Sequence, residues 1–501
     1  MRQSTLTRRF LSVVKKRKRK VAIAYGIDGR NFKGSQYNAD ESIRTSEFEL
    51  ERALHSIGCI SDSNASNVKK IGLSRSSRVD KGVSARLTCV GAKIMVDSDD
   101  VFDAETGHCE RIVTDLNRVL PEDVKVFSVV RTRKGFDARR DCNYRQYNYL
   151  VPLSSSSLFC EQNDDEILNR MNVLLSTFCG TSNFANFTRL SNALDRSTRQ
   201  KLEKQQESLR LPKAMTLFRT IFKANATKVV MSNGESFAQV TFAGEGFLYN
   251  QIRRMIGLVI AVLQRRLPEE LFLASRHVKL PLELIPLAPS FPLLAHSLSF
   301  GAKSNMLTVA SDANQILGFR ESSRNTQFNV PPRVLLLPDA LCEVEKFHRE
   351  RLLPLLTTAA ATGCEDKNTW SEFDSRVSYA IERWSELEGD IMKGFEERKR
   401  VREQYIKDMA AKNENAERWF KPRGLLAALC SRYDLLPGGQ ALNLIDVVDH
   451  MTQTELEPSS WPRDHESTFQ LIESMGGPLE VATMACKLDR IDLGSNNKNG
   501  R

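Results

Sequence analysis

A lone carboxylate set among cations is the first place in this chain where chemistry is suggested. The stretch Ser74–Ala85 reads SRSSRVDKGVSA, with Asp80 between Arg78 and Lys81 and Gly82 just after. Flanking cations favour an ionised carboxylate, and the effect grows where water is excluded. Gly82 permits a tight turn that would aim Asp80 into a cleft. The same residues would equally make an exposed turn with an incidental ion pair, since structural ion pairs outnumber sites.

Three more polar islands lie between apolar runs. Tyr147 follows Arg145 by two residues in YRQYNYLV, a strand-like segment that puts Arg145, Tyr147 and Tyr149 on one face. Such a tyrosine is either core or a stacking platform for a nucleobase. In GEGFLYNQIRR, Gly244 and Gly246 break a strand just before a helix carrying Arg253, which is either a snorkelling surface cation or a site cation. GTSNFANFTR holds Asn183, Phe184, Phe187 and Arg189 and reads as a folded loop or an RNA contact.

Several other chemistries lack their residues. GRNFKGS has P-loop glycine spacing, but Ser35 stands where the lysine belongs. There is no G-x-S-x-G, and GEGFLY is only a fragment of a dinucleotide fingerprint. The ten cysteines form no C-x-x-C pair and the seven histidines no H-E-x-x-H, so reduced thiols and no structural metal are expected.

The elements that must position these islands follow from periodicity. VAIAYGID is a buried strand; SEFELERALHSIG is a helix with Ser46 and Glu49 as a capping box and Gly58 as its stop. TCVGAKIMV and VKVFSVV read as strands, with the helix ERIVTDLNRVLP between them. Ile167 to Phe178 keeps helical spacing, Asn233–Gly234 signals a hairpin, and LYNQIRRMIGLVIAVLQRR is a long helix. The expected class is therefore α+β, a largely antiparallel sheet flanked by helices. Trp370, Phe373, Val377, Ala380, Trp384, Leu387 and Ile391 keep a/d spacing in a long charged helix over about 370–415, expected to pack on the body.

At 501 residues the chain exceeds one compact core. Its net charge of +10 favours a polyanionic partner. No apolar run reaches bilayer-spanning length and no signal peptide is evident, so no membrane association is expected. Residues 1–20, ending in KKRKRK, contain no acid and read as a disordered leader, either a nuclear address or, alternatively, a mitochondrial one.

In order and wording, the islands resemble the tRNA pseudouridine synthase A family, most closely its eukaryotic branch. YGIDGRNFKGSQYN is similar to the opening strand and its G-x-Q turn, with Gly34 and Gln36; SRVDKGVSA resembles the motif of the catalytic aspartate, Asp80. GFDARRDCNYRQYNYLV, GTSNFANFT and GEGFLYNQIRRMIGLVIAV resemble three later motifs, the first holding Tyr147 and the last Arg253. Val79 departs from the usual threonine, Ser182 and Ala185 from two histidines, and APSFPLL at Ala288–Leu294 lacks two glycines.

The resemblance implies a pseudouridine synthase fold of two similar α/β subdomains with a central RNA-binding cleft and a helical C-terminal extension. It implies subdomains at 21–152 and 153–300; a loop-rich connector at 301–369, the helix at 370–415 and an extension at 416–501 would follow. It further implies isomerisation of specific uridines in tRNA, without metal or cofactor, by a monomer or homodimer. Asp80, Tyr147 and Arg253 would be catalytic, and Arg78, Gln36, Lys81, Asn183 and Phe187 would contact RNA. The alternatives are a catalytically inactive RNA-binding protein or RNA chaperone on the same fold, or a structural protein assembling through the 370–415 helix.

Overall fold

The computed structural model describes residues 16–40, 42–153, 157–159, 163–189, 217–231, 234–275, 278–300, 335–362 and 369–411. One nine-stranded sheet organises them. Its strands are β1 (Arg17–Ile27), β2 (Ser74–Arg75), β3 (Ser84–Val96), β4 (Val124–Arg131), β5 (Cys142–Pro152), β6 (Gly180–Asn183), β7 (Phe218–Val230), β8 (Ser236–Gly244) and β9 (Leu293–Phe300). The order is β4-β1-β3-β9-β5-β8-β7-β6, with β2 pairing β3 off this path. All pairs are antiparallel except β3 with β9.

The last strand, β9, sits between β3 and β5, so the halves before and after residue 152 share one sheet. Helices cover both faces, which is why the strands read as continuous apolar runs. On one face, Val21, Ile23, Tyr25 and Ile27 of β1 meet Tyr147, Tyr149 and Val151 of β5 in the largest core cluster. That cluster also holds buried residues of α1 (Ser46–Ser56), α2 (Glu110–Val119), α4 (Asp164–Ser176), α5 (Gln251–Leu263) and α6 (Glu269–Ala274). The short α3 (Ala138–Asp141) leads into β5. On the other face, Ala22, Ala24, Leu87 and Phe127 pack with Leu335, Leu336 and Val344.

The back cover corrects one expectation. Residues 338–362 are not loop: α7 (Pro338–Phe347), a π-helical turn (His348–Leu352) and α8 (Leu353–Thr362) run on continuously, because Val344, Leu352 and Leu356 have an apolar sheet face to bury. Residues 301–334 and 363–368 of that connector lie outside the described residues. The long helix is α9 (Trp370–Ala411), and Phe373, Val377, Ala380, Trp384 and Ile391 are buried in the main cluster, so it packs on the body as expected. Residues 1–15 of the leader and the extension from 416 are outside the described residues, and no described helix is long and apolar enough to cross a membrane.

Two local readings also shift. β1 begins at Arg17, inside the basic run assigned to the leader: Arg17–Lys20 pair with Val96–Lys93 and complete a 13-residue neighbour. Their cations reach outward to partners, Lys20 to the Gly72 carbonyl at 2.7 Å and Arg19 to Asp99. Helix α1 is capped by Thr45, whose hydroxyl accepts from the Phe48 N–H, rather than by Ser46, which is already helical. Helix α5 is buried all round, not only along a stripe.

Candidate active site

Asp80 lies in the loop between β2 and β3, and that loop is fastened on several sides. Ser35 brackets it twice: its N–H donates to the Val79 carbonyl at 2.9 Å and its hydroxyl accepts from the Val79 N–H at 3.0 Å. Gly34, at φ +111°, makes this approach possible, because a β-carbon there would lie 3.2 Å from the Val79 carbonyl oxygen in a strained backbone. Gly82, at φ +76°, donates to Phe32, and Val83 N–H closes the turn on the Asp80 carbonyl at 3.1 Å.

Arg145 fastens the other end. It is buried, and its guanidinium donates to four backbone carbonyls: Ser76 at 2.7 Å, Cys142 at 3.0 Å, Arg139 at 3.1 Å and Glu245. One side chain thus ties the start of the Asp80 loop to α3, to β5 and to the glycine-containing break after β8. Sequence reading placed Arg145 on the same strand face as Tyr147 but assigned it no role. The available signal was that face: an arginine sharing it with two core tyrosines must be buried and needs acceptors.

Tyr147 and Arg253 come to this loop from β5 and α5. The Tyr147 ring meets Phe247 edge-on at 5.3 Å, and its phenol is influenced by Ser77 and Asp80 of the loop. Arg253 is buried and donates through Nε to the Ala288 carbonyl at 2.8 Å. Burial pushes the Asp80 carboxyl above its ordinary range, and Arg253, then Arg78, pull it back towards ionisation. Burial likewise raises the Tyr147 phenol, with Ser77 opposing that. Arg253 is lowered by burial and supported by Tyr149 and Asp80. The sequence reading has the cations keep Asp80 ionised; burial opposes them and is the largest influence on it.

The remaining expected contacts separate. Arg78 and Lys81 are exposed beside Asp80, and Gln36 is exposed next to Ser35 on the bracketing turn. Asn183 is exposed but ends the edge strand β6, with β7 and β8 between it and β5. Phe187 contradicts its assignment: it is fully buried, edge-on to Phe178 at 5.5 Å and packed on Phe184 at 6.0 Å. An aromatic pair in a polar-looking loop is core here because Asn186 fixes the loop, donating to Ser275 and Val278 carbonyls and accepting from Leu280 N–H. At the glycine-poor APSFPLL segment, Ser290 and Phe291 are buried, and Ser290 lies against Gly82.

Residues 174–300, which include Arg253, match the family model described as tRNA pseudouridine synthase. Over those residues the chain is similar to the tRNA pseudouridine synthase family. It is 29% identical over 263 residues to the mouse pseudouridylate synthase 1 homolog, covering 50% of this chain and 54% of that protein. The human pseudouridylate synthase 1 homolog is 27% identical over 260 residues, 50% of this chain and 53% of the relative. Saccharomyces cerevisiae tRNA pseudouridine synthase 1 is 36% identical over 138 residues, 28% and 23% of the two chains. The match to the mammalian relatives thus spans about half of their length. The pseudouridine synthase fold, an open and mostly antiparallel sheet with helices and a helical C-terminal region, is the one described above.

Proposed function

We propose that this chain is an RNA pseudouridine synthase acting on uridines of tRNA, with Asp80 as its catalytic carboxylate. One observation carries the reading: Asp80, on a loop clasped by Ser35 and Arg145, is within electrostatic reach of both Arg253 and Tyr147, which lie far from it in sequence. The isomerisation breaks the bond between uracil N1 and ribose C1′, rotates the base and joins C5 to C1′; N1 gains a proton and C5 loses one. Asp80, ionised, serves either by adding to the sugar or base or by taking a sugar proton. Arg253 and Arg78 stabilise that carboxylate against the burial that disfavours it. Tyr147 offers its ring to the base. Burial keeps its phenol protonated, so it accepts the C5 proton only while passing its own on.

The target uridine leaves its stack to reach such a site, at a cost on the order of a few kcal/mol. Arg78 and Lys81, exposed beside Asp80, offset that cost through salt-sensitive phosphate contacts. Nuclear residence rests on the basic run alone, and its support shrinks because Arg17–Lys20 are strand residues. The function is tested by tritium release from tRNA carrying uridine labelled at C5, with wild type and Asp80→Asn side by side. Release by wild type only is the expected result. A folded wild type that binds tRNA and releases nothing favours the RNA-binding reading instead.

A further inference from the structure

Helix α9 lies beyond the family-matched residues, yet it holds the segment on which Arg253 rests. Residues 282–290 contain two prolines and join no sheet, so their carbonyls need partners from elsewhere. Side chains supply them. Arg254 donates to Leu282 at 2.9 Å and to Ile285, Arg253 to Ala288 at 2.8 Å, and the Tyr149 hydroxyl to Pro289 at 3.1 Å. The Leu287 carbonyl is taken by Arg376 of α9, at 2.8 Å.

That last bond is placed with consequence. The Leu287 carbonyl and the Ala288 N–H belong to one rigid peptide unit. The Ala288 N–H donates to the Arg253 carbonyl at 3.2 Å, and the Ala288 carbonyl accepts from Arg253 Nε. Arg376 therefore grips one end of a planar group whose other end grips Arg253. The helix is anchored independently: Phe373, Val377, Ala380, Trp384 and Ile391 are buried, and Arg266 donates to Asp374 at 2.6 Å and to Ser378 at 3.0 Å.

We propose that Arg376 is a positioning residue, through which α9 fixes the Leu287–Ala288 peptide and so sets Arg253 against Asp80. The proposal rests on the reading of Asp80 and Arg253 as the catalytic pair, and it gives the C-terminal region a share in the chemistry.

The test uses full-length Arg376→Met and Arg376→Lys. Because α9 keeps its apolar anchors, both variants are expected to retain far-UV circular dichroism and cooperative melting. In Arg376→Met the Ala288 amide should lose roughly tenfold of its hydrogen-exchange protection, the order of one charge-assisted bond. The single-turnover rate at saturating tRNA should fall roughly tenfold as well, with tRNA affinity within about twofold of wild type. Arg376→Lys should recover part of both losses. Unchanged Ala288 exchange overturns the proposal whatever the activity. Weakened tRNA binding at an unchanged rate overturns it too, making Arg376 an RNA contact. If wild type releases no tritium, the proposed function fails, while the exchange comparison still decides whether Arg376 holds the peptide.

Discussion

Replacing Arg145 with methionine tests whether one buried guanidinium holds the site together. Methionine preserves most of the side-chain volume and removes every donor, leaving the Ser76, Cys142, Arg139 and Glu245 carbonyls without this partner. A hydrogen bond to a charged group contributes about 1.5–3 kcal/mol net. The bonds to Ser76 and Cys142 are buried, whereas those to Arg139 and Glu245 are half-buried and can be replaced by water. Counting only the buried two gives about 3–6 kcal/mol, a large part of the roughly 5–15 kcal/mol that holds a typical domain. Burying the uncharged methionine returns some of this, because the desolvation cost of the guanidinium disappears. The expected net loss is about 3 kcal/mol. Urea denaturation should show a lower midpoint at an unchanged slope, and Arg145→Lys, with one ammonium for four acceptors, should fall between. Tritium release per folded molecule should drop in both variants, since the Asp80 loop loses its fastening at Ser76. A loss under about 1 kcal/mol, or full activity in Arg145→Met, would refute the reasoning.

Three further outcomes are expected. Because burial raises the folded-state pKa of Asp80 above its unfolded value, the native state holds the extra proton between those values. Stability contributed by this group therefore falls as pH rises through that window, so Asp80→Asn should melt higher than wild type at neutral pH, and the gap should close in acid. Arg253→Met should cost on the order of 10²-fold in turnover, and it should move the acid limb of kcat/KM upwards, since the leading cation that lowers the Asp80 carboxyl is gone. A limb that stays put would remove Arg253 from the neighbourhood of Asp80. Phe187→Ala should cost about 3–5 kcal/mol in denaturant melts, with tRNA affinity of the folded fraction within twofold; weaker binding at full stability would restore Phe187 as an RNA contact.

How much the sequence discloses depends on how far away each side chain's partner lies. The strands β3, β4, β5 and β8 and the helices α1, α2, α4 and α5 are legible because periodicity is local. The errors arise where a distant surface decides. Arg17–Lys20 look solvated until β3 is seen to extend far enough to pair with them. Residues 338–362 look like connector because the apolar face that Val344, Leu352 and Leu356 cover belongs to strands more than 40 residues earlier. Thr45 and Ser46 are both good caps, and only the actual hydrogen bond distinguishes them.

The candidate site divides in the same way. Asp80, Tyr147 and Arg253 carry reactive or charged groups, so their residue types alone nominate them. What sequence does not disclose is the set of groups that aims them, because those work through backbone carbonyls, which have no residue type. Ser35 reads as a failed P-loop lysine and turns out to clasp Val79; Arg145 reads as one member of a strand face and turns out to bind four carbonyls. Ser290 reads as a lost glycine and is instead buried, set against Gly82. Phe187 shows the converse error, a residue type suited to stacking on a base and used to fill a core. A catalytic carboxylate is useful only when its backbone is held as firmly as its charge is tuned. In this chain the holding is spread over β5, the Gly34–Ser35 turn and the 286–290 segment, so substitutions far from Asp80 in sequence should impair turnover before they impair RNA binding.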